Sequence, residues 1–226
     1  MSTPEEISYA GPVLQRPWDA RLARRLVAPL KDTSITPNHL TTIRLGVGVA
    51  AAAAFLPGTY GWSNLAALLL VLSNFLDHTD GELARISGKT SRIGHLYDLT
   101  SDAAVTILLF LAMGVGIGGP QLTPELPSVM GLMAGCSIAL IFYLRMRIED
   151  MLGKVANRQA SLGGFETEDV LYLLPLVTVS DGVVPFLTAA ALCSPLFAVW
   201  VVFDYRRALL RQRQSQSSRQ SLRETR

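Results

Sequence analysis

The residues best placed to do chemistry are four aspartates in one short stretch. It reads Asp77-His78-Thr79-Asp80-Gly81-Glu82-Leu83-Ala84-Arg85, then eight residues, Gly94, three residues, Asp98, three residues, and Asp102. Asp77 and Asp80 stand at i and i+3, and Asp98 and Asp102 at i and i+4, so on helices each pair shares one face. The first pair closes one apolar run and the second opens the next, with a short basic turn between them. All four carboxylates are therefore expected at one edge of a membrane. Carboxylates are costly there and repel one another, so the cluster needs positive charge among them. Oxygen-only ligands favour hard cations, Mg²⁺ or Mn²⁺, and two divalent ions would neutralise four carboxylates. Two-metal sites suit displacement at phosphorus. Gly81 and Ala84 follow Asp77 by four and seven residues. Their small side chains would leave a floor for a phosphate or nucleotide, within reach of charge-assisted hydrogen bonds from Arg85. A helical hairpin with solvated acids at its mouth is the plain alternative, and the cost of acids in membrane segments argues against it.

The elements that must hold these residues are apolar. Half of the 226 residues are hydrophobic, too many for an ordinary soluble domain. Six stretches approach the roughly 20 apolar residues of a span: about 40 to 56, 62 to 82, 98 to 118, 127 to 147, 169 to 180 and 183 to 204. The fifth is short. The expected fold is an all-α integral membrane protein of six transmembrane helices, preceded by an N-terminal interfacial amphipathic helix. In that helix Trp18, Leu22, Leu26 and Leu30 repeat every four residues, with Arg21, Arg24 and Arg25 on other faces. Thr36, Pro37 and Asn38 supply the cap of the first span. Residues 1–34 read as the juxtamembrane segment, 35–205 as the six-helix domain, and 206–226 as a basic tail, expected to be disordered. Met1 to Gly11 lacks an apolar core, so no cleavable signal peptide is expected.

Lys and Arg fall at 16–31, 85–92, 145–158 and from 206 onward, with Arg44 alone outside these groups, whereas the loops around 57–64, 114–127 and 180–184 contain none. Six spans put every basic segment on one side, which the positive-inside rule makes cytoplasmic. Active site and both termini are then expected inside, in a multi-pass protein of the inner or plasma membrane. Gly46, Ala50 and Ala54 form a small-residue stripe expected to pack closely on another helix. Cys136 and Cys193 have no paired spacing and are expected as packing residues. His39, His78 and His95 have no partner at ligand spacing, and hydrogen-bonding or interfacial roles are expected for them. No nucleic-acid partner is expected.

The aspartate run resembles the signature of the CDP-alcohol phosphatidyltransferase family across its full length. Its eight fixed identities at fixed spacing would arise by chance less than about once in a hundred million starts. Pro37-Asn38-His39-Leu40-Thr41 resembles the family's segment before the first span, and Tyr143-Leu144-Arg145-Met146-Arg147-Ile148-Glu149 the basic end of its fourth. The resemblance implies transfer of a phosphatidyl or related group from a CDP-linked lipid, such as CDP-diacylglycerol, to a small alcohol acceptor, with release of CMP. It implies that Asp77, Asp80, Asp98 and Asp102 hold two Mg²⁺ or Mn²⁺ ions, and that Asp102 is the general base. It further implies that Thr41, Asp77, Gly81, Ala84, Arg85 and Gly94 contact the CDP moiety, and that the enzyme is a homodimer among membrane lipids. Arg145, Arg147, Lys154 and Arg158 are candidate acceptor contacts. Residues 160–169, Ala-Ser-Leu-Gly-Gly-Phe-Glu-Thr-Glu-Asp, carry acids and no arginine, where family members that accept inositol phosphate typically carry arginines. An unphosphorylated acceptor is therefore expected, with a phosphatidylinositol-phosphate-synthase-like enzyme as the alternative within the family. The competing class is a transporter or channel passing a cation over intramembrane aspartates. Against it, the acids lie at a helix end and no inverted repeat is visible.

Overall fold

The structure, a computed structural model, describes residues 18–118, 125–152 and 172–224. All the regular structure there is helical: α1 (Trp18–Val27), a 3-10 turn (Ala28–Leu30), α2 (Pro37–Phe55), α3 (Tyr60–Ser87), α4 (Arg92–Ile117), α5 (Glu125–Leu152), α6 (Leu174–Val179) and α7 (Val183–Glu224). Three of these, α4, α5 and α7, contain stretches long and apolar enough to cross a membrane. Large apolar side chains also stand exposed along the outer faces, among them Leu68, Leu72, Leu132, Leu192, Leu196 and Phe203. Water would not tolerate so extended an apolar surface, and lipid would.

The sequence anticipated the helices better than their number as spans. Residues 40–56 and 62–82 do form α2 and α3, but α2 carries polar groups and a buried arginine, and α3 ends in acids. Of the expected fifth span, only Leu174–Val179 is α-helix among the described residues. Tyr60 Oη donates to Val179 O at 3.2 Å, so the end of α6 lies beside the start of α3, at the opposite end of the bundle from the aspartates. The expected tail differs as well. α7 continues to Glu224, because Arg, Gln and Leu are adequate helix formers and extending a helix costs far less than nucleating one.

Packing follows an order that the sequence does not reveal. α2 packs on both α3 and α4, whereas α3 and α4, although joined by a four-residue connection, do not pack on each other among the described residues. The buried core fills this wedge with Ala51, Ala52 and Phe55 of α2, Leu70 of α3, and Leu109 and Phe110 of α4. The close approach of α2 is made by Gly48, and of the expected stripe only Ala54 is packed in the core. A Cβ at Gly48 would lie 2.6 Å from Val105 Cγ2 and 3.1 Å from Ser73 Oγ, while Gly46 has nothing near it. α5 joins α4 to α7, and a second core of Ile141, Leu144, Ala198 and Val201 closes its C-terminal half. Cys136 and Cys193 are exposed on the outward faces of α5 and α7, not packed inside as expected.

Candidate active site

α2 begins with local chemistry that fixes its register. Pro37 occupies the first turn, and the Thr36 N–H donates to His39 Nδ1 at 3.2 Å, satisfying an amide that the helix start leaves unpaired. His39 is thus a capping residue, in line with the expected hydrogen-bonding role. α3 ends at Gly88, whose φ of 67° is left-handed and whose N–H returns to Ala84 O. Glycine adopts that conformation without steric cost. Ser91 then caps α4, its Oγ accepting from Gly94 N–H at 2.9 Å. Lys89 Nζ donates to Thr33 O at 2.6 Å and so ties this connection to the segment before α2. A Cβ at Gly94 would stand 2.8 Å from Asn38 Oδ1, so a larger residue there would have to displace the Asn38 side chain between α2 and α4.

Because α3 and α4 diverge, their aspartates meet through α2. Arg44 is 4 % exposed and its guanidinium lies among all four carboxylates. Nη1 bonds Asp77 Oδ1 at 2.5 Å and also bonds Asp102 Oδ1. Nη2 donates to Asp98 Oδ1 at 2.8 Å and to Asp98 O at 3.2 Å. Nε is 3.9 Å from Asp80 Oδ2 and, although buried, has no hydrogen-bond acceptor. Thr41, one turn earlier on α2, donates its hydroxyl to Asp80 Oδ2 at 2.8 Å. Asp80 is buried, whereas Asp77, Asp98 and Asp102 are partly open. One carboxylate oxygen from each of these three lies within 4.8 Å of the others.

The expectation that the four aspartates come together is met, with a cation among them that was not assigned to the site. By sequence Arg44 stands out only as the basic residue outside the groups that set orientation. An ionisable side chain within an otherwise uncharged span was the available signal, because such groups are expensive unless paired.

The other expected contacts divide. Gly81 has open space before it, room that a larger side chain would take. Ala84 is half-buried. Arg85 donates to the buried Glu82 at 2.5 Å and is otherwise solvent-facing, lining a shallow basic depression with Arg24 and Lys31. Arg145 does not face the aspartates. Its guanidinium stands 5.4 Å from the Phe197 ring and 5.5 Å from the Trp200 ring on α7, a cation–π arrangement that holds α5 to α7. Arg147 is exposed. Lys154, Arg158 and residues 160–169 lie outside the described residues.

Next to the carboxylates opens a cavity of about 550 Å³ bordered by α3, α4 and α5. Arg44, Asp77, His78 and Asp102 line its polar end, and Leu70, Leu99, Leu109, Leu140, Phe142 and Met146 line much of the rest. A charged mouth above an apolar trough fits an amphiphile with an anionic head and hydrocarbon chains.

Comparison with known proteins is consistent with this geometry. The archaetidylinositol phosphate synthase of Aeropyrum pernix is 31% identical over 160 residues, covering 70% of this chain and 76% of that protein. The bifunctional IPC transferase and DIPP synthase of Rubrobacter xylanophilus is 30% identical over 146 residues, covering 62% of this chain and 30% of that protein. Matches to the curated relatives span from 26% to 76% of their lengths. The crystal structure of the Mycobacterium tuberculosis phosphatidylinositol phosphate synthase with CDP-DAG bound superposes with a TM-score of 0.54 at 24% identity, over 84% of this chain and 92% of that one, and shares the fold. The family profile of the CDP-alcohol phosphatidyltransferases matches residues 34–203, three quarters of the sequence and every helix around the aspartates, so the chain belongs to the CDP-alcohol phosphatidyltransferase family.

Proposed function

We propose that the protein transfers a phosphatidyl or closely related group from a CDP-linked lipid, of the CDP-diacylglycerol type, to the hydroxyl of a small alcohol. The observation that carries this reading is the junction of four carboxylates with an apolar trough. The donor's pyrophosphate would lie by the carboxylates and its chains in the trough. In the transfer, the acceptor oxygen bonds to the lipid-bearing phosphorus, the bridging P–O bond breaks, CMP departs with that oxygen, and Asp102 takes the acceptor's proton. Asp102 suits the last role because it is the least covered of the three clustered carboxylates, its side chain 48% exposed at the cavity edge. A base must lie within hydrogen-bond reach of the proton it removes. Gly81 leaves room for the cytidine-bearing phosphate, and Arg85 is within one turn of it.

The donor set fits divalent metal. All its ligands are carboxylate oxygens, three of them can converge on one point, and the site already holds a cationic group in Arg44. Asp77, Asp80, Asp98 and Asp102 would hold two Mg²⁺ or Mn²⁺ ions. When bound, these supply positive charge to the phosphoryl and leaving oxygens. The residues of the chain do the rest: Thr41 holds Asp80 in place and the trough walls exclude water from the reacting group.

The acceptor proposed is an unphosphorylated alcohol. This is supported by the arginine-free segment 160–169 and by Arg145, which is committed to the aromatic face of α7. A dianionic acceptor needs charge-assisted contacts that these residues do not offer. The second reading, inositol phosphate, is favoured by the name of the Aeropyrum relative. CMP release from CDP-diacylglycerol with Mg²⁺, measured side by side with inositol, inositol phosphate, glycerol, glycerol phosphate and an amino alcohol, tests both. Preference for a phosphorylated acceptor would reverse the assignment, and no CMP release with any acceptor would count against the transfer itself.

Orientation follows from charge. We propose that the aspartate edge and both termini face the cytoplasm and that the basic α1 lies in the headgroup layer. α1 has Ala23 and Val27 buried, with Leu22 and Leu26 exposed for lipid. Homodimerisation is proposed from the family alone. Single cysteines placed at Lys89, Lys154 and Arg213 are expected to react with an impermeant maleimide only from the cytoplasmic side, and one at Gln121 only from outside. Labelling of 89 and 121 from the same side would refute the arrangement.

A further inference from the structure

We propose that Arg44 is an exchangeable internal cation. It neutralises the four aspartates when they hold no metal, and it must withdraw its guanidinium for metal to bind. The inference rests on the metal reading above and concerns how the chain's own charge is handled around that site. Three carboxylate oxygens, on Asp77, Asp98 and Asp102, are bonded by Arg44, and the same three residues are the ones whose oxygens can converge on an ion. A guanidinium and a divalent ion cannot share that volume without strong repulsion.

Two features make exchange feasible. Arg44 Nε is buried without an acceptor, so the bound position is incompletely satisfied and less is lost on leaving it. The adjoining cavity of about 550 Å³ is lined by Arg44 itself, giving the side chain somewhere to go while its backbone stays anchored by Ser73 Oγ, which donates to Arg44 O at 3.1 Å. Arg44 is thus a positioning residue: it gathers aspartates from two helices that do not pack on each other, and it sets the threshold of metal concentration at which they load.

The test is Mn²⁺ binding to the purified, detergent-solubilised full chain, followed by calorimetric titration and by the shift in melting temperature, with no substrate present. Arg44→Gln is expected to melt lower than wild type without metal, to gain a larger Mn²⁺-induced shift, and to bind Mn²⁺ at least about tenfold more tightly, because a competing cation has been removed. Arg44→Lys keeps one charge but cannot fork across three carboxylates, so its affinity is expected between the two. It serves as the deciding variant should Arg44→Gln fail to fold. Saturable Mn²⁺ binding in wild type that is equal or weaker in the folded variant would overturn the exchange and leave the metal assignment intact. Absence of saturable Mn²⁺ binding in wild type would overturn both.

Discussion

Replacing Asp77, Asp80 or Asp98 with Asn is expected to reduce CMP release to background while leaving the protein folded and inserted. Each substitution removes one negative charge from a cluster whose only function-compatible partners are cations, and hard divalent ions bind neutral amide oxygen far less well than carboxylate. The three should differ in detail. Asp80 is buried and held by Thr41, so Asp80→Asn should be the least rescued by raised Mg²⁺. Asp77 and Asp98 are about one-third exposed, and their variants should recover a little at high Mg²⁺. Chelation of wild type should give the same loss, reversed by adding Mg²⁺ or Mn²⁺. Melting temperature and gel filtration in detergent establish folding. Activity near wild type in any of these variants at ordinary Mg²⁺ would remove the two-metal assignment.

Asp102→Asn is expected to lower kcat by roughly 100-fold to 10,000-fold, the usual cost of losing a positioned base, with CDP-lipid binding retained. Asp102 also accepts a bond from Arg44, so this variant takes one contact from the internal cation as well as the base from the reaction. Those two effects separate in the kinetics. Loss of the base lowers kcat for every acceptor without raising the donor KM, whereas damage to the metal site raises the Mg²⁺ requirement. A variant with normal kcat and poor Mn²⁺ affinity would mark Asp102 as a ligand only.

Residue type and spacing alone set the chemistry and the helices that bear it. Acid spacings of three and four residues put each pair on one helix face before any packing is known, and apolar runs of span length located α2, α3, α4, α5 and the first half of α7. Capping at Thr36 is similarly local, because amides at helix starts are satisfied by neighbours in the chain. What local pattern does not carry is which helix lies between which. The short turn between the two pairs places all four aspartates at one edge, but it does not tell that α2 occupies the wedge between α3 and α4. It brings in Arg44, from 33 residues before Asp77 and 58 before Asp102. The same limitation misplaced the small-residue stripe, since only the tertiary contact with Val105 and Ser73 selects Gly48 over Gly46. The charge of Arg145 points to an acceptor contact, and only the packing of α5 on α7 turns it to Phe197 and Trp200. A residue's chemical capacity is written in its type and spacing, but its partner is chosen by burial and charge compensation among segments far apart in the chain.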